Sequence, residues 1–135
     1  MRRVSPREAH ELMVRDGYVY LDVRTETEFV EGHPRGAYNV PVALPGEHGL
    51  VPNPAFVAEV TARIARTTPV VVGCASGVRS LEAARQLVES GYGSVVEQRA
   101  GLNGLRDAFG RIQERGWRDE GLPMHYVGAD EQERT

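Results

Sequence analysis

The sequence predicts an α/β fold in which a mostly parallel sheet is covered by helices on both faces. Strand-like and helix-like segments alternate almost throughout the 135 residues, and such alternation is typical of parallel sheets. The fully apolar run Val70–Val72 is of the kind found in strands that are buried on both faces. A chain of this length builds one hydrophobic core but not comfortably two. We therefore predict one domain over residues 1–127, followed by a polar tail, 128–135, that is expected to be mobile.

Two capping boxes predict the first two helices. Ser5-Pro-Arg-Glu8 has proline at the first helical position and begins a helix that is expected to end at Gly17. Thr25-Glu-Thr-Glu28 begins a second, short helix. The apolar and aromatic run Tyr18–Val23 predicts a strand between these helices, and Ala37–Val40 predicts the next strand.

The alternation continues through the rest of the chain. Prolines and glycines make residues 41–54 a predicted loop. A helix is expected to begin at Asn53-Pro54, with an apolar face formed by Val57, Val60 and Ile64. Residues 80–90 predict another helix, whose inward positions are Ala84, Leu87 and Val88. Ser94–Val96 is the predicted fourth strand. Asn103 is the predicted cap of a last helix, whose apolar positions are Leu105, Ala108, Phe109 and Ile112.

The composition excludes several kinds of chemistry. All sixteen basic residues are arginine, which excludes Schiff-base and phosphate-loop lysines. The single cysteine excludes an internal disulfide, a zinc site of several thiolates and a CxxC redox pair. The histidines lack the spacing of metal ligands, so we expect neither a metal nor an organic cofactor. A net charge of −3 and scattered arginines give no indication of a nucleic-acid partner.

The start of the chain does not resemble an export signal. Arg2-Arg3 is followed by a polar, helix-forming stretch rather than an apolar one, so it is not interpreted as a twin-arginine signal. The longest apolar runs are only a few residues long, too short to cross a membrane. We expect a cytoplasmic protein without membrane association, in which a free thiol stays reduced.

The candidate nucleophile is Cys74, in the loop between the buried strand Val70–Val72 and the following helix. Ligands of open parallel sheets bind outside the carboxyl ends of the strands. Backbone N–H groups of this loop and the positive end of the helix are expected to stabilise both a thiolate and a bound anion. Free cysteines are usually small buried hydrophobic residues, and it is the position that favours chemistry here. The predicted anion-binding loop consists of Ala75, Ser76, Gly77, Val78, Arg79 and Ser80.

Charged residues at other strand ends are candidates for the pocket rim. Asp22 and Arg24 lie around the end of the first predicted strand, which is expected on the same sheet edge as Cys74. Ion pairs and hydrogen bonds within the fold are the favoured interpretation of these two residues. Arg99 follows the last predicted strand, and its side chain either reaches the pocket mouth or is solvated.

The segment Cys74-Ala-Ser-Gly-Val-Arg-Ser80 resembles the C-x-x-G-x-R-S active-site loop of the rhodanese family. Upstream, Leu21-Asp-Val-Arg-Thr-Glu-Thr-Glu-Phe29 and Glu31-Gly-His-Pro-Arg-Gly-Ala-Tyr-Asn-Val-Pro41 are similar to two further motifs of that family. Downstream, its helix motif is matched by Ala83-Ala84, Leu87 and Gly91-Tyr92. The resemblance implies a three-layer fold with a central, mostly parallel sheet of about five strands. It also implies sulfur transfer through a persulfide of Cys74.

Two departures from the family pattern affect the pocket. The family has a glycine pair and an aromatic residue where this chain reads Ala100-Gly101-Leu102-Asn103-Gly104-Leu105. Family members devoted to thiosulfate often carry extra basic residues in the loop, whereas Ala75, Ser76 and Val78 are uncharged. A dianionic donor would therefore be held mainly by backbone N–H groups and Arg79.

The resemblance leads to one preferred function and two alternatives. We expect a sulfurtransferase that moves sulfane sulfur from thiosulfate, a persulfide or a polysulfide to a thiol, to cyanide or to a sulfur-accepting protein. One alternative is a binding or regulatory module without turnover. The other is a cysteine phosphatase or arsenate reductase, which is disfavoured because only four residues separate Cys74 from Arg79, whereas related phosphatases have five.

Overall fold

A computed structural model of the chain describes residues 1–127. Its centre is a five-stranded sheet in the order β1 (Arg2–Val4), β8 (Val95–Gln98), β7 (Val70–Gly73), β2 (Val19–Asp22) and β4 (Tyr38–Asn39), in which all neighbouring strands are parallel. The α/β fold and its five-stranded parallel sheet are thereby confirmed. The predicted tail, 128–135, lies outside the described residues. Within residues 1–127 no helix is both long and apolar enough to cross a membrane.

The bounds of the elements are as follows. The helices are α1 Pro6–Asp16, α2 Glu26–Glu31, α3 Phe56–Arg63 and α4 Arg79–Glu89. The sheet strands are β1 Arg2–Val4, β2 Val19–Asp22, β4 Tyr38–Asn39, β7 Val70–Gly73 and β8 Val95–Gln98. The strands of the short antiparallel pairs are β3 His33–Pro34, β5 Ala43–Gly46, β6 Gly49–Pro52, β9 Leu105–Arg106, β10 Ile112–Glu114 and β11 Met124–His125.

The central strand β7 separates two hydrophobic cores. Its four residues are all buried, and successive side chains of a strand point to opposite faces. Val71, paired with Tyr20 and Val96, packs with α1 and with the buried Trp117. On the other face, Val70 and Val72 pack with α3 and α4. Burial on both faces explains why this strand reads as an uninterrupted apolar run.

Both predicted capping boxes are present. In α1 the Ser5 hydroxyl accepts a hydrogen bond from Glu8 N–H at 3.1 Å, and Glu8 Oε1 accepts one from Ser5 N–H at 3.0 Å. Gly17 ends this helix with φ 69°, a conformation that glycine adopts at little cost. Thr25 and Glu28 make the same reciprocal pair at the start of α2.

The prediction of a helix that begins at Asn103 is wrong. Residues 105–114 form a hairpin of β9 and β10 instead. The Asp107 carboxylate accepts hydrogen bonds from the backbone N–H of Phe109 at 2.8 Å and of Arg111 at 2.9 Å. Such a local side-chain turn competes with a helix, and Phe109 is 82% exposed rather than packed.

Three smaller expectations are also corrected, and one strand was not predicted. The predicted loop 41–54 contains the hairpin of β5 and β6. The helix expected to begin at Asn53 begins at Phe56, because the Asn53 side chain instead accepts a hydrogen bond from Ala55 N–H at 3.0 Å in a turn. Val88 points outward and is 47% exposed. The strand β1, which no sequence pattern indicated, pairs with β8 before α1 begins.

Candidate active site

Cys74 lies directly after β7, at the carboxyl edge of the central sheet, and is only 1% exposed. Its Sγ accepts hydrogen bonds from the backbone N–H of Gly77 at 3.1 Å and of Ser80 at 3.3 Å. Two backbone donors aimed at one sulfur atom stabilise a negative charge there. The arrangement suits a thiolate nucleophile.

The start of helix α4 adds further positive potential at the Cys74 sulfur. No side chain caps the helix at Val78, so its first N–H groups lack the usual oxygen acceptor. The Cys74 sulfur takes that place, because the N–H of Ser80, in the first turn, points to Sγ. The positive end of the helix dipole therefore lies at the sulfur atom.

A glycine and two backbone hydrogen bonds from residues 102 and 103 hold the shape of the loop. Gly77 has φ +86°, and a Cβ there would collide with the carbonyl oxygen of Arg99. Leu102 N–H donates to the Cys74 carbonyl at 2.9 Å, and Asn103 N–H donates to the Ala75 carbonyl at 2.9 Å.

The departure from the family's glycine pair leaves these backbone hydrogen bonds intact. Gly101 has φ +65°, and a Cβ at this position would overlap the carbonyl groups of Cys74 and Ala75. Only glycine therefore allows the segment to approach the loop this closely. Ala100, at the other position of the pair, is completely buried.

Arg79, the only charged residue of the loop, is paired with helix α2. Its guanidinium donates to Glu28 Oε1 at 2.7 Å and to Oε2 at 3.0 Å. The hydrogen bonds from Arg79 lower the pKa of Glu28 from 4.5 to about 2, and the same contact raises the pKa of Arg79. The positive charge predicted beside the sulfur is thus largely compensated within the protein.

The structure reveals a buried carboxylate that the sequence analysis missed. Ser80 Oγ donates to Glu97 Oε2 at 2.5 Å and accepts from Cys74 Sγ at 3.3 Å. Glu97 is fully buried and pairs with Arg3 of β1, Nε to Oε1, at 2.5 Å. Hydrogen bonding to Glu97 raises the pKa of Arg3. A signal existed, because Glu97 follows Val95-Val96 at the carboxyl end of a strand, where ligand sites form.

The three candidate rim residues are engaged elsewhere. Asp22 and Arg24, 0% and 3% exposed, form a bidentate pair, with Arg24 Nη2 at 2.8 Å from Asp22 Oδ2. Arg24 also donates to the Gly32 carbonyl at 2.6 Å. The Arg99 guanidinium donates to Glu114 at 2.7 Å, and Arg99 meets the loop through its backbone carbonyl at Gly77. These contacts favour a structural role for all three side chains.

A mostly apolar cavity of about 300 Å³ adjoins the loop. Val78, which is 76% exposed, forms part of its wall. The other lining residues are Val42, Ala43, Leu50, Pro52, Arg79, Glu82 and Gln86. Among residues 1–127 no cluster of three or more His, Cys, Asp or Glu side chains is placed to bind a metal ion.

The comparison with known proteins decides the family. The profile described as "Rhodanese-like domain" matches residues 5–108 of the chain. The chain belongs to the rhodanese-like domain family. Of the active-site motif of that family, this rhodanese-like domain keeps the cysteine, the loop glycine, the arginine and the serine, at 74, 77, 79 and 80.

The rhodanese-like domain is similar to curated plant proteins. It is 37% identical over 120 residues to "Thiosulfate sulfurtransferase 16, chloroplastic" of Arabidopsis thaliana, covering 89% of each chain. It is 40% identical over 85 residues to "Thiosulfate sulfurtransferase 18" of the same plant, covering 62% of each. The match to "Senescence-associated protein DIN1" of Raphanus sativus is 40% identical and spans about half of that protein, 51%.

Solved structures support the fold. A crystal structure of Rv0390 from M. tuberculosis superposes with a TM-score of 0.76 at 34% identity, covering 93% of this chain and 97% of the other. A crystal structure of the Alr3790 protein from Anabaena sp. superposes with a TM-score of 0.69, covering 98% of this chain and 100% of the other. At 17% identity, the second likeness concerns the fold alone.

Proposed function

We propose that this rhodanese-like domain is a sulfurtransferase that carries sulfane sulfur on Cys74. The observation that carries the proposal is the buried Cys74 sulfur at the carboxyl edge of the sheet, with two backbone N–H groups directed at it. The similarity to two proteins named as thiosulfate sulfurtransferases agrees with this chemistry.

In the first step the Cys74 thiolate attacks the outer sulfur of the donor. A bond forms between Sγ and that sulfur, and the sulfur–sulfur bond of the donor breaks. With thiosulfate, sulfite leaves with the electron pair of the broken bond, and Cys74 becomes a persulfide. The N–H groups of Gly77 and Ser80 stabilise the negative charge on the Cys74 sulfur before the attack. After the attack the charge lies on the transferred sulfur.

In the second step an acceptor removes the sulfur. A thiolate or cyanide attacks the outer sulfur of the persulfide, and the Cys74 thiolate leaves with the electron pair. The products are a new persulfide or thiocyanate. Each step uses the same sulfur and needs no metal or organic cofactor, so ping-pong kinetics are expected.

The surroundings of the loop favour donors of low charge. The Arg79 guanidinium is compensated by Glu28, and the adjoining cavity is lined mainly by apolar side chains. A small dianion such as thiosulfate finds little uncompensated positive charge here, whereas an organic persulfide places its carbon atoms in the cavity. We propose that kcat/KM is higher with an alkyl persulfide that carries no other charged group than it is with thiosulfate.

The cytoplasmic location expected from the sequence remains a prediction.

Intact-mass measurement tests the proposal directly. The chain and its Cys74→Ser variant are incubated in turn with thiosulfate, glutathione persulfide and polysulfide. Addition of one sulfur atom to the wild-type chain, and none to the variant, is the expected result. A wild-type chain that no donor modifies would refute sulfur transfer and support a binding module. Cys74-dependent hydrolysis of a chromogenic phosphate ester, without persulfide formation, would assign a phosphatase instead.

A further inference from the structure

A line of hydrogen-bonded side chains connects the Cys74 sulfur to the surface. Cys74 Sγ lies 3.3 Å from Ser80 Oγ, Ser80 Oγ lies 2.5 Å from Glu97 Oε2, and Glu97 Oε1 lies 2.5 Å from Arg3 Nε. Cys74 is 1% exposed, and Ser80 and Glu97 are completely buried. The Arg3 side chain is 43% exposed. Cys74 follows β7, whereas Ser80, Glu97 and Arg3 belong to α4, β8 and β1, so only the tertiary fold brings these residues together.

Because Cys74 is buried, the group that accepts its proton determines how many negative charges lie in the protein interior. If Cys74 lost its proton to solvent while Glu97 stayed ionised, two negative charges would be separated by one hydroxyl group in the protein interior. Like charges that close oppose each other strongly where the effective dielectric constant is low. Transfer of the proton to Glu97 keeps a single negative charge inside. The Arg3 guanidinium compensates that charge as long as it resides on Glu97.

We propose that Glu97 is the internal proton acceptor of Cys74, reached through the hydroxyl group of Ser80. The thiol proton passes from Sγ to Ser80 Oγ while the hydroxyl hydrogen passes from Oγ to Glu97 Oε2. The S–H bond and the original O–H bond break, and two O–H bonds form. The products are a thiolate, an intact hydroxyl group and a neutral carboxyl group.

This inference deepens the proposed function and rests on it for the use of the thiolate. Glu97 acts through Ser80 and is therefore a positioning residue. The proton that it stores returns to Cys74 when the second step of sulfur transfer releases the thiolate.

Each position at which the proton transfer leaves a negative charge has a stabilising partner. Arg3 favours the ionised form of Glu97, whereas the N–H groups of Gly77 and Ser80 favour the thiolate. The negative charge therefore has a stabilising partner whether the shared proton lies on Cys74 or on Glu97. Arg79 at the start of α4, Tyr20 of β2 and Glu114 of β10 also interact electrostatically with Cys74 or Arg3. Tyr20 stays neutral because burial raises its pKa.

The test is the pH dependence of the thiol, measured without any sulfur donor. One proton shared by two sites makes the thiolate fraction independent of pH between the two macroscopic titrations. We expect the rate of Cys74 alkylation by iodoacetamide to show a pH-independent interval between the two macroscopic titrations of the pair. In Glu97→Gln the rate should instead rise about tenfold per pH unit through this interval.

A second variant and a second measurement keep the test decisive. Ser80→Ala removes the connecting hydroxyl but keeps the Glu97 carboxylate, so its profile should stay flat at a changed level, whereas Glu97→Gln abolishes the flat interval. The infrared S–H band reports the thiol directly, because the chain has one cysteine. Within the flat interval its area should be smaller in the wild type than in Glu97→Gln, in which the cysteine keeps its proton. Glu120→Gln, which removes a different carboxylate, paired with Arg7, is the matched control and should keep the flat profile.

Two results would overturn the proton transfer. One is a wild-type alkylation rate that already rises about tenfold per pH unit. The other is a flat profile that persists in folded Glu97→Gln. Neither measurement involves sulfur transfer, so the two proposals fail separately. A flat profile in a chain that never forms a persulfide would refute only the sulfurtransferase.

Discussion

Replacing Glu28 by glutamine tests how much the ion pair with Arg79 stabilises the fold. The carboxylate receives two hydrogen bonds from the guanidinium, at 2.7 and 3.0 Å, and joins α2 to the active-site loop. Its Oε1 also accepts a hydrogen bond from Thr25 N–H at 3.2 Å. Glutamine keeps an oxygen for this capping contact, so Glu28→Gln removes mainly the charge.

The magnitude follows from the lowered pKa. A shift of the Glu28 pKa from 4.5 to about 2 corresponds to about 3 kcal/mol at most. One third of the side chain is exposed, 33%, and solvent screening reduces the contribution to about 1–2 kcal/mol. A lowered folded-state pKa stabilises the protein above the unfolded value, so the contribution is complete at pH 7. It declines below about 4.5 and is lost as the pH falls through about 2.

Urea unfolding at two pH values measures this contribution. At pH 7 we expect Glu28→Gln to lower the midpoint by about 0.5–1 M urea. By pH 3 the difference should shrink by roughly half, because the wild-type carboxylate loses its advantage as the unfolded chain binds protons. Glu26→Gln is the control, since Glu26 lies on the same helix and forms no ion pair within residues 1–127. A difference of the same size at both pH values would refute the electrostatic account.

Three further substitutions test the loop and its support. Gly77→Ala forces φ +86° on alanine and makes its Cβ collide with the Arg99 carbonyl. We expect a lower Tm and at least a tenfold lower kcat/KM. Wild-type values of both would contradict the loop geometry. Val78→Lys adds charge at a residue that is 76% exposed; kcat/KM with thiosulfate should rise several-fold at low salt, and a gain that survives high salt would not be electrostatic. Arg24→Met leaves the buried Asp22 carboxylate without its ion-pair partner. Urea unfolding should show a free energy of unfolding lower by about 3–5 kcal/mol. A decrease below about 1 kcal/mol would mean that Asp22 is not desolvated.

Local patterns predicted the elements whose causes are local. The capping boxes at Ser5 and Thr25 involve residues three positions apart, so the sequence shows both partners at once. The predicted helix at Asn103 failed because its apolar spacing imitates a helix, whereas the Asp107 turn directs a hairpin. The strand β1 was missed because its three residues become a strand only by pairing with β8.

The same distinction applies to the candidate site. The sequence alone indicated the candidate nucleophile and its loop, because one cysteine stands between a buried strand and a helix, with glycine and arginine at set distances from it. Only the tertiary structure decided the charge around that cysteine. Arg79 meets Glu28 across 51 positions and Arg3 meets Glu97 across 94. Ion pairs between residues that far apart form only when the sheet order brings their strands and helices together, and no local pattern records them.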